Sequence, residues 1–229
     1  MNPVYMIGVG PGDPELVTVK AVRLMKEADI VYVPESSAGG RSVAEQIIRP
    51  YVEKEKMHLS YFPMTNDYDE LDKRYTELAA EIAEQVKAGK KLVYVTLGDA
   101  MLYSTAQYVS VRLRKMGIEP VFIPGITSYN ACANLTGISL ADKSEQFTVL
   151  GIPDSVEELK KLCDSNSSVV LMKISKRLPV LLEYVKTYKP RVATLTRRAT
   201  LEGEEVIDLT KADGVPEDAG YLSVAIIKQ

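Results

Sequence analysis

The run Leu92-Val93-Tyr94-Val95-Thr96 is apolar and rich in β-branched residues, and Leu97-Gly98-Asp99-Ala100-Met101-Leu102-Tyr103-Ser104-Thr105 follows it directly. The run predicts a buried strand. Gly98-Asp99 breaks it, and a helical pattern resumes at Tyr103 and continues through Leu113. A strand that ends in a glycine turn and feeds a helix is a unit of an α/β sheet, and small ligands bind at the carboxyl edge of open sheets of that kind. Gly98 lets a ligand approach the main chain, Asp99 adds a charged acceptor, and Ser104 and Thr105 place two hydroxyls at the helix start. Two readings stand open at this point: a ligand-binding turn, or an ordinary connection in which Asp99 is a helix N-cap.

The same alternation organises the rest of the chain. Val4 to Val9 reads as a strand that enters Gly8-Val9-Gly10-Pro11-Gly12-Asp13-Pro14, followed by a helix from Glu15 to Ala28. The loop imitates a dinucleotide fingerprint but fails it. Asp13 stands where the third glycine belongs, and a carboxylate there would repel a pyrophosphate. Further strands are expected at Asp29–Val33 and Lys56–Tyr61, with helices at Arg41–Arg49 and Tyr68–Ala88, the latter closed by Gly89. Strands alternating with helices predict a mainly parallel first sheet. From Val121 onward the expected strands are Val121–Ile123, Gln146–Leu150, Ser168–Met172, Arg191–Thr196, Glu204–Leu209 and Tyr221–Ile227. Helices are expected at Ile126–Leu135, Ser155–Cys163 and Lys176–Tyr188. The last two strands leave no room for a helix between them, which predicts that they pair antiparallel in a mixed second sheet. The expectation is therefore an α/β chain of two domains, 1–117 and 118–229.

Composition removes several alternatives. A length of 229 residues suits one large domain or two small ones, and 46% hydrophobic with 26% charged residues describes an ordinary globular chain. The net charge of −3 gives no basic field for nucleic acid. Cys132 and Cys163 share no CxxC spacing and read as reduced thiols of a cytoplasmic protein. No apolar run approaches the ~20 residues of a membrane span, and no export signal is evident at the N-terminus. His58 is the single histidine, which disfavours Ser-His-Asp catalysis and histidine metal sites, so no metal is expected. It lies in an alternating strand pattern and reads as a half-exposed strand residue.

Four turns at expected strand ends carry information together: Gly8–Asp13, Gly98–Asp99, Gly125–Ser128 and Met172–Lys173. The opening Gly-x-Gly-Pro-Gly-Asp, a Pro-Glu-Ser loop after the second strand, the Gly-Asp turn, Pro-Gly-Ile-Thr-Ser and Val-Val-Leu-Met-Lys occur in one order along essentially the whole chain. In that order they resemble the tetrapyrrole methylases, two-domain α/β enzymes that use S-adenosylmethionine and release S-adenosylhomocysteine. Within that family the Met-Leu-Tyr-Ser-Thr segment is similar to the branch that methylates C20 of precorrin-2 or its cobalt counterpart. One departure is Ala100, where the family usually has proline after Gly-Asp.

The resemblance implies roles for particular residues. Leu97, Gly98 and Asp99 would cradle the methionine end of the cofactor, and Met101, Ser104 and Thr105 would lie along it. Thr127 and Ser128 would hydrogen-bond nearby, Met172 would pack at the adenosine, and Arg197, Ala199, Ser223 and Val224 would contribute from the closing strands. The cofactor would occupy the cleft between the domains. Thr127 and Ser128 read equally as helix caps, and Met172 as strand core. Asp13, Glu35 and Tyr103 are the candidates for removing a ring proton, although Asp13 also reads as a helix cap and Glu35 as a solvated loop charge. Arg41, Lys173, Lys176 and Arg177 suit a polycarboxylate disc. A homodimer is implied, with no nucleic-acid or membrane partner. Two other readings remain: methylation at a different ring position, and a nucleotide-binding module without catalysis.

Overall fold

The structure is a computed structural model that describes residues 2–35, 42–62 and 67–229. Its strands and helices alternate as the hydrophobic pattern demands, in two units, Met1–Thr127 and Ser128–Gln229.

The first unit holds β1 (Val4–Gly8), β2 (Ile30–Glu35), β3 (Met57–Tyr61), β4 (Leu92–Thr96) and β5 (Val121–Ile123) in the order β3-β2-β4-β1-β5. All pairings in this sheet are parallel. Every residue of β4 is buried, as a central parallel strand requires. Because side chains alternate across a strand, the sheet has two apolar faces. Val31, Val33, Val93 and Val95 pack with α1 (Val19–Glu27) and α2 (Val43–Ile48), while Tyr32 and Tyr94 pack with α3 (Tyr68–Lys87) and α4 (Thr105–Lys115). The stretch expected as one helix from Glu15 to Ala28 is a 3-10 turn, Pro14–Leu16, and then α1. Thr18 interrupts them in an extended conformation and caps α1 by accepting from the Ala21 amide.

The second unit holds β6 (Phe147–Gly151), β7 (Ser168–Met172), β8 (Val192–Arg197), β9 (Glu205–Asp208) and β10 (Ser223–Lys228), in the order β6-β7-β10-β8-β9. Only β6 and β7 are parallel, so the sheet is mixed. Its helices are α5 (Ser128–Thr136), α6 (Val156–Ser165) and α7 (Leu178–Tyr188).

Two expectations need correction. The units divide after Thr127, not at 117, because β5 pairs with β1 and so belongs to the first sheet. The last two strands do not pair with each other. β9 lies at the edge against β8, and β10 inserts between β7 and β8. Residues 209–222 are long enough to carry the chain past β8, and β10 is buried along its whole length, so the central position gives it two neighbours. His58 meets its expectation: its side chain is about half exposed, 3.5 Å from Glu81 and tilted against Tyr32.

The final strand also pins a loop. Lys228 is buried, and its Nζ donates to Ser139 O and to Glu145 Oε2, both at 3.0 Å. The Lys228 hydrogen bond is the leading reason that the Glu145 carboxyl titrates below the ordinary carboxylate range. A lowered folded-state pKa contributes stability above the unfolded value, and that contribution is lost as pH falls through the folded one. Glu145→Gln is therefore expected to melt at a lower temperature than the natural chain at neutral pH. The difference should close as the solution is acidified, measured by thermal unfolding as a function of pH.

Candidate functional site

Three strand ends of the first sheet meet at one point. Gly10 and Gly98 form an antiparallel bridge, with Gly98 N donating to Gly10 O at 2.7 Å and Gly10 N to Gly98 O at 3.1 Å. A Cβ on Gly8 would lie 2.5 Å from Gly98 O and 2.8 Å from Gly125 N, and one on Gly125 would collide with the Gly98 and Gly8 carbonyl groups. Only residues without side chains allow this approach. Gly98 itself has φ +70, and a Cβ there would meet nothing within 4 Å, so its other side is open.

Asp99 ties the junction together. Its Oδ2 accepts from Gly125 N at 3.0 Å and its Oδ1 from Met101 N at 2.8 Å. It is therefore not the cap of the following helix. Ser104 has that role: its Oγ accepts from Ala106 N and donates to Thr96 Oγ1, both at 3.1 Å. Thr105 Oγ1 is paired with the Tyr94 hydroxyl at 2.8 Å. The hydroxyls of Ser104 and Thr105 thus shape the turn from inside. Leu97 packs on the α1/α2 side of the sheet, Met101 and Tyr103 are about half exposed, and Ala100 is buried in the turn. The Thr127 Oγ1 is shut off from solvent and has no hydrogen-bond partner, and Ser128 opens α5.

The remaining candidates of the first unit separate. Asp13 caps the 3-10 turn by accepting from Glu15 N at 2.8 Å. Glu35 closes β2, and its Oε2 is buried without a hydrogen-bond partner among the described residues. Arg41 lies outside the described residues.

In the second unit the pairing brings another set to one end of the sheet. Ser223 pairs with Arg197, Ala225 with Leu171, and Gly151 with Met172, so the ends of β6, β7 and β8 and the start of β10 coincide. Met172 is partly buried there, and Ala199 and Val224 are buried. Arg197 is engaged within the unit, at 3.2 Å from Glu205 and 2.9 Å from Asp218, and Ser223 Oγ donates to Ala219 O at 2.7 Å. Lys173 follows β7 with φ 56. Lys176 and Arg177 lie in the 3-10 turn Ser175–Arg177, where Arg177 pairs with Asp154.

Backbone conformation marks the same places. Tyr103, Lys173, Arg198, Thr200 and Leu222 have positive φ and each adjoins a candidate cofactor residue, while Lys143 and Lys189, the latter the C-cap of α7, share the conformation elsewhere. Non-glycine residues in that region carry strain that concentrates at ligand sites. Neither this nor the Gly8–Gly125 contact was identified from sequence. Lysine, arginine, threonine and leucine signal no left-handed turn, and a glycine–glycine contact across three strands has no local pattern.

No described helix is long and apolar enough to cross a membrane, and among the described residues no group of three or more His, Cys, Asp or Glu could hold a metal. Both cysteines are buried, and desolvation pushes the Cys132 thiol up to about 12, so it stays protonated and unreactive at neutral pH.

A parallel sheet with glycine turns at its carboxyl edge in the first unit and a mixed sheet in the second define an α/β chain of two units. The chain belongs to the tetrapyrrole (corrin/porphyrin) methylases, whose family model matches residues 3–213. It is 36% identical over 228 residues to a probable cobalt-precorrin-2 C(20)-methyltransferase of Methanocaldococcus jannaschii, covering 99% of this chain and 96% of the relative. A cobalt-precorrin-2 C(20)-methyltransferase of Salmonella typhimurium is 33% identical over 208 residues, covering 88% of this chain and 86% of the relative. The fold is shared with a cobalt precorrin-4 methyltransferase, with TM-score 0.73 and 20% identity over 99% of this chain and 94% of that one. It is also shared with a uroporphyrin-III C-methyltransferase of Thermus thermophilus solved with S-adenosylhomocysteine, with TM-score 0.68 and 23% identity over 100% of this chain and 98% of that one.

Asp99→Ala leaves the part-buried Gly125 amide without its acceptor, at a cost on the order of 1 kcal/mol, while the exposed Met101 amide can turn to water. The variant is expected to lose about 1 kcal/mol in chemical denaturation, with Asp99→Asn intermediate. An unchanged midpoint would remove Asp99 from this structural role.

Proposed function

We propose that the chain transfers a methyl group from S-adenosylmethionine to C20 of precorrin-2 or its cobalt counterpart, in cobalamin biosynthesis. The observation that carries this reading is the 36% identity, across 99% of the chain, to a relative named for that reaction. The residues at the strand ends suit the cofactor. Gly98 offers an open main-chain surface, Met101 an exposed apolar side chain, and Thr127 a buried hydroxyl with no partner inside the protein.

When bound, S-adenosylmethionine supplies a sulfonium methyl group that an electron-rich carbon can attack. The protein's part is placement, and holding reactants in line can be worth ~7–11 kcal/mol of barrier. In this reading Leu97, Gly98 and Asp99 hold the methionine end. Asp99 acts through the main chain, because both of its oxygens are committed to the Gly125 and Met101 amides. Met101 lies along the cofactor, while Ser104 and Thr105 fix the turn's shape from behind. Thr127 donates or accepts through its unpartnered hydroxyl once a small shift of the turn uncovers it, with Ser128 next in the chain. Met172, Arg197, Ala199, Ser223 and Val224 complete the set, and Arg197 is a positioning residue because its guanidinium is engaged by Glu205 and Asp218.

Lys173, Lys176, Arg177 and Arg41 bind the carboxylates of the macrocycle as ion pairs. Asp13, Glu35 and Tyr103 are the candidates for accepting the ring proton. A homodimer, a cytoplasmic location and the absence of a nucleic-acid partner belong to the same proposal. The family resemblance and the net charge of −3 support it, and size-exclusion chromatography with light scattering reads the oligomeric state.

Incubation of the chain with S-adenosylmethionine and each tetrapyrrole, followed by mass spectrometry and NMR, is expected to give one added methyl group, at C20. A methyl group at any other position, or none, overturns the assignment. Thr127→Val removes one hydroxyl at nearly constant volume. It is expected to weaken S-adenosylhomocysteine binding about tenfold, ~1.4 kcal/mol, without lowering thermal stability, as read by calorimetry of binding and of unfolding. Unchanged affinity would take Thr127 out of the site.

A further inference from the structure

β2 and β4 are neighbours in the sheet, yet they pair over only three residues, from Ile30 with Leu92 to Tyr32 with Tyr94. Both strands continue beyond that point, β2 to Glu35 and β4 to Thr96. On its other edge β2 stays paired with β3 as far as Glu35 and Tyr61. The carboxyl ends of β2 and β4 therefore fork apart. β2 leads to α2 on one face of the sheet and β4 to α4 on the other, and strands that diverge in this way leave a crevice in which open α/β sheets bind ligands.

Glu35 stands on one side of this fork and the Leu97–Asp99 turn on the other. Strand alternation puts Glu35 on the same face as Val31 and Val33, the face on which Leu97 also packs. Its Oε2 is buried and accepts no hydrogen bond from the described residues, although buried carboxylate oxygens ordinarily find a donor. The other two candidate groups are placed differently. The Asp13 carboxylate caps its own 3-10 turn, and Tyr103 is about half exposed. A carboxylate with one oxygen kept out of water, without a partner among the described residues and across this fork from the Leu97–Asp99 turn, is suited to receive a proton from a molecule bound in the crevice.

We propose that Glu35 is the proton acceptor for the carbon that receives the methyl group; this rests on the methyltransferase reading above. The new bond forms from C20 to the methyl carbon while the sulfur–methyl bond breaks, its electron pair remaining on sulfur. C20 then carries both the methyl group and its original hydrogen, and the ring has gained a positive charge. The C20–H bond breaks, the proton passes to the Glu35 carboxylate, and the released electron pair restores the ring's conjugation. Glu35 later returns the proton to solvent.

The test compares the full natural chain with Glu35→Gln and Glu35→Asp. Three readouts are taken: S-adenosylhomocysteine affinity, C20 methylation from acid to neutral pH, and the rate with substrate deuterated at C20. Glu35→Gln is expected to bind S-adenosylhomocysteine within about threefold of the natural chain and to lose about 100-fold or more in turnover. It should also lose the acid limb of the pH profile and show a larger deuterium effect. Glu35→Asp should keep the acid limb at a reduced rate. If Glu35→Gln turns over at the natural rate with the same pH profile, the proposal is overturned while the methyltransferase reading stands. Loss of S-adenosylhomocysteine binding in Glu35→Gln also overturns it, since the residue then serves the cofactor or the fold. If the natural chain adds no methyl group at C20, the underlying reading fails and the proposal falls with it.

Discussion

The rest of the first unit depends on a backbone contact that admits no side chain. Gly8, Gly98 and Gly125 bring the ends of β1, β4 and β5 within van der Waals reach of one another, and the Asp99 carboxylate fastens the contact through the Gly125 amide. Overpacking a closed site costs roughly 1–3 kcal/mol or more, and here the colliding atoms are main-chain carbonyls that cannot swing away. The three loops leaving these strands are held at one place for that reason. Whatever the chain binds at this edge meets a surface built from main chain, with side chains set behind it.

That arrangement divides the polar groups into two kinds. Ser104, Thr105, Arg197 and Ser223 have partners inside the protein and give the turns their shape. Thr127 and Glu35 each present a buried oxygen without a partner. Burying such an atom is unfavourable; Ser60, Ser168, Thr194, Thr196 and the Arg197 Nε share the condition, and Thr127 and Glu35 are the two whose oxygens fall at candidate-site positions of the first unit. Methyl transfer from a sulfonium requires a rigid cradle and one or two unpartnered polar atoms, with no nucleophile supplied by the protein.

Much of this was legible in the sequence. The apolar β4 run, the Gly98-Asp99 break and the alternation of strands and helices led to the α/β class, the parallel first sheet and the mixed second one. Local patterns carry that information because burial and side-chain period are local properties. Long-range choices were not legible. Nothing in Val121–Ile123 shows that it pairs with β1, and nothing in Glu205–Asp208 shows that it pairs with β8 and leaves the central place to β10. At the candidate site the residue types were readable and their duties were not. Asp99 reads from sequence as a ligand contact or a helix cap, and in the structure it is a clamp between two strand ends. Hydroxyls that look alike in sequence, Ser104 and Thr127, differ only in whether the fold supplies a partner.

A crystal structure of the chain grown with S-adenosylhomocysteine shows whether the edge formed by Gly98 and Thr127 holds the cofactor. The account predicts density for the ligand against the Gly98 main chain, with a ligand atom within hydrogen-bond distance of Thr127 Oγ1. Ligand density elsewhere on the chain, with the Thr127 hydroxyl still without a partner, would contradict it.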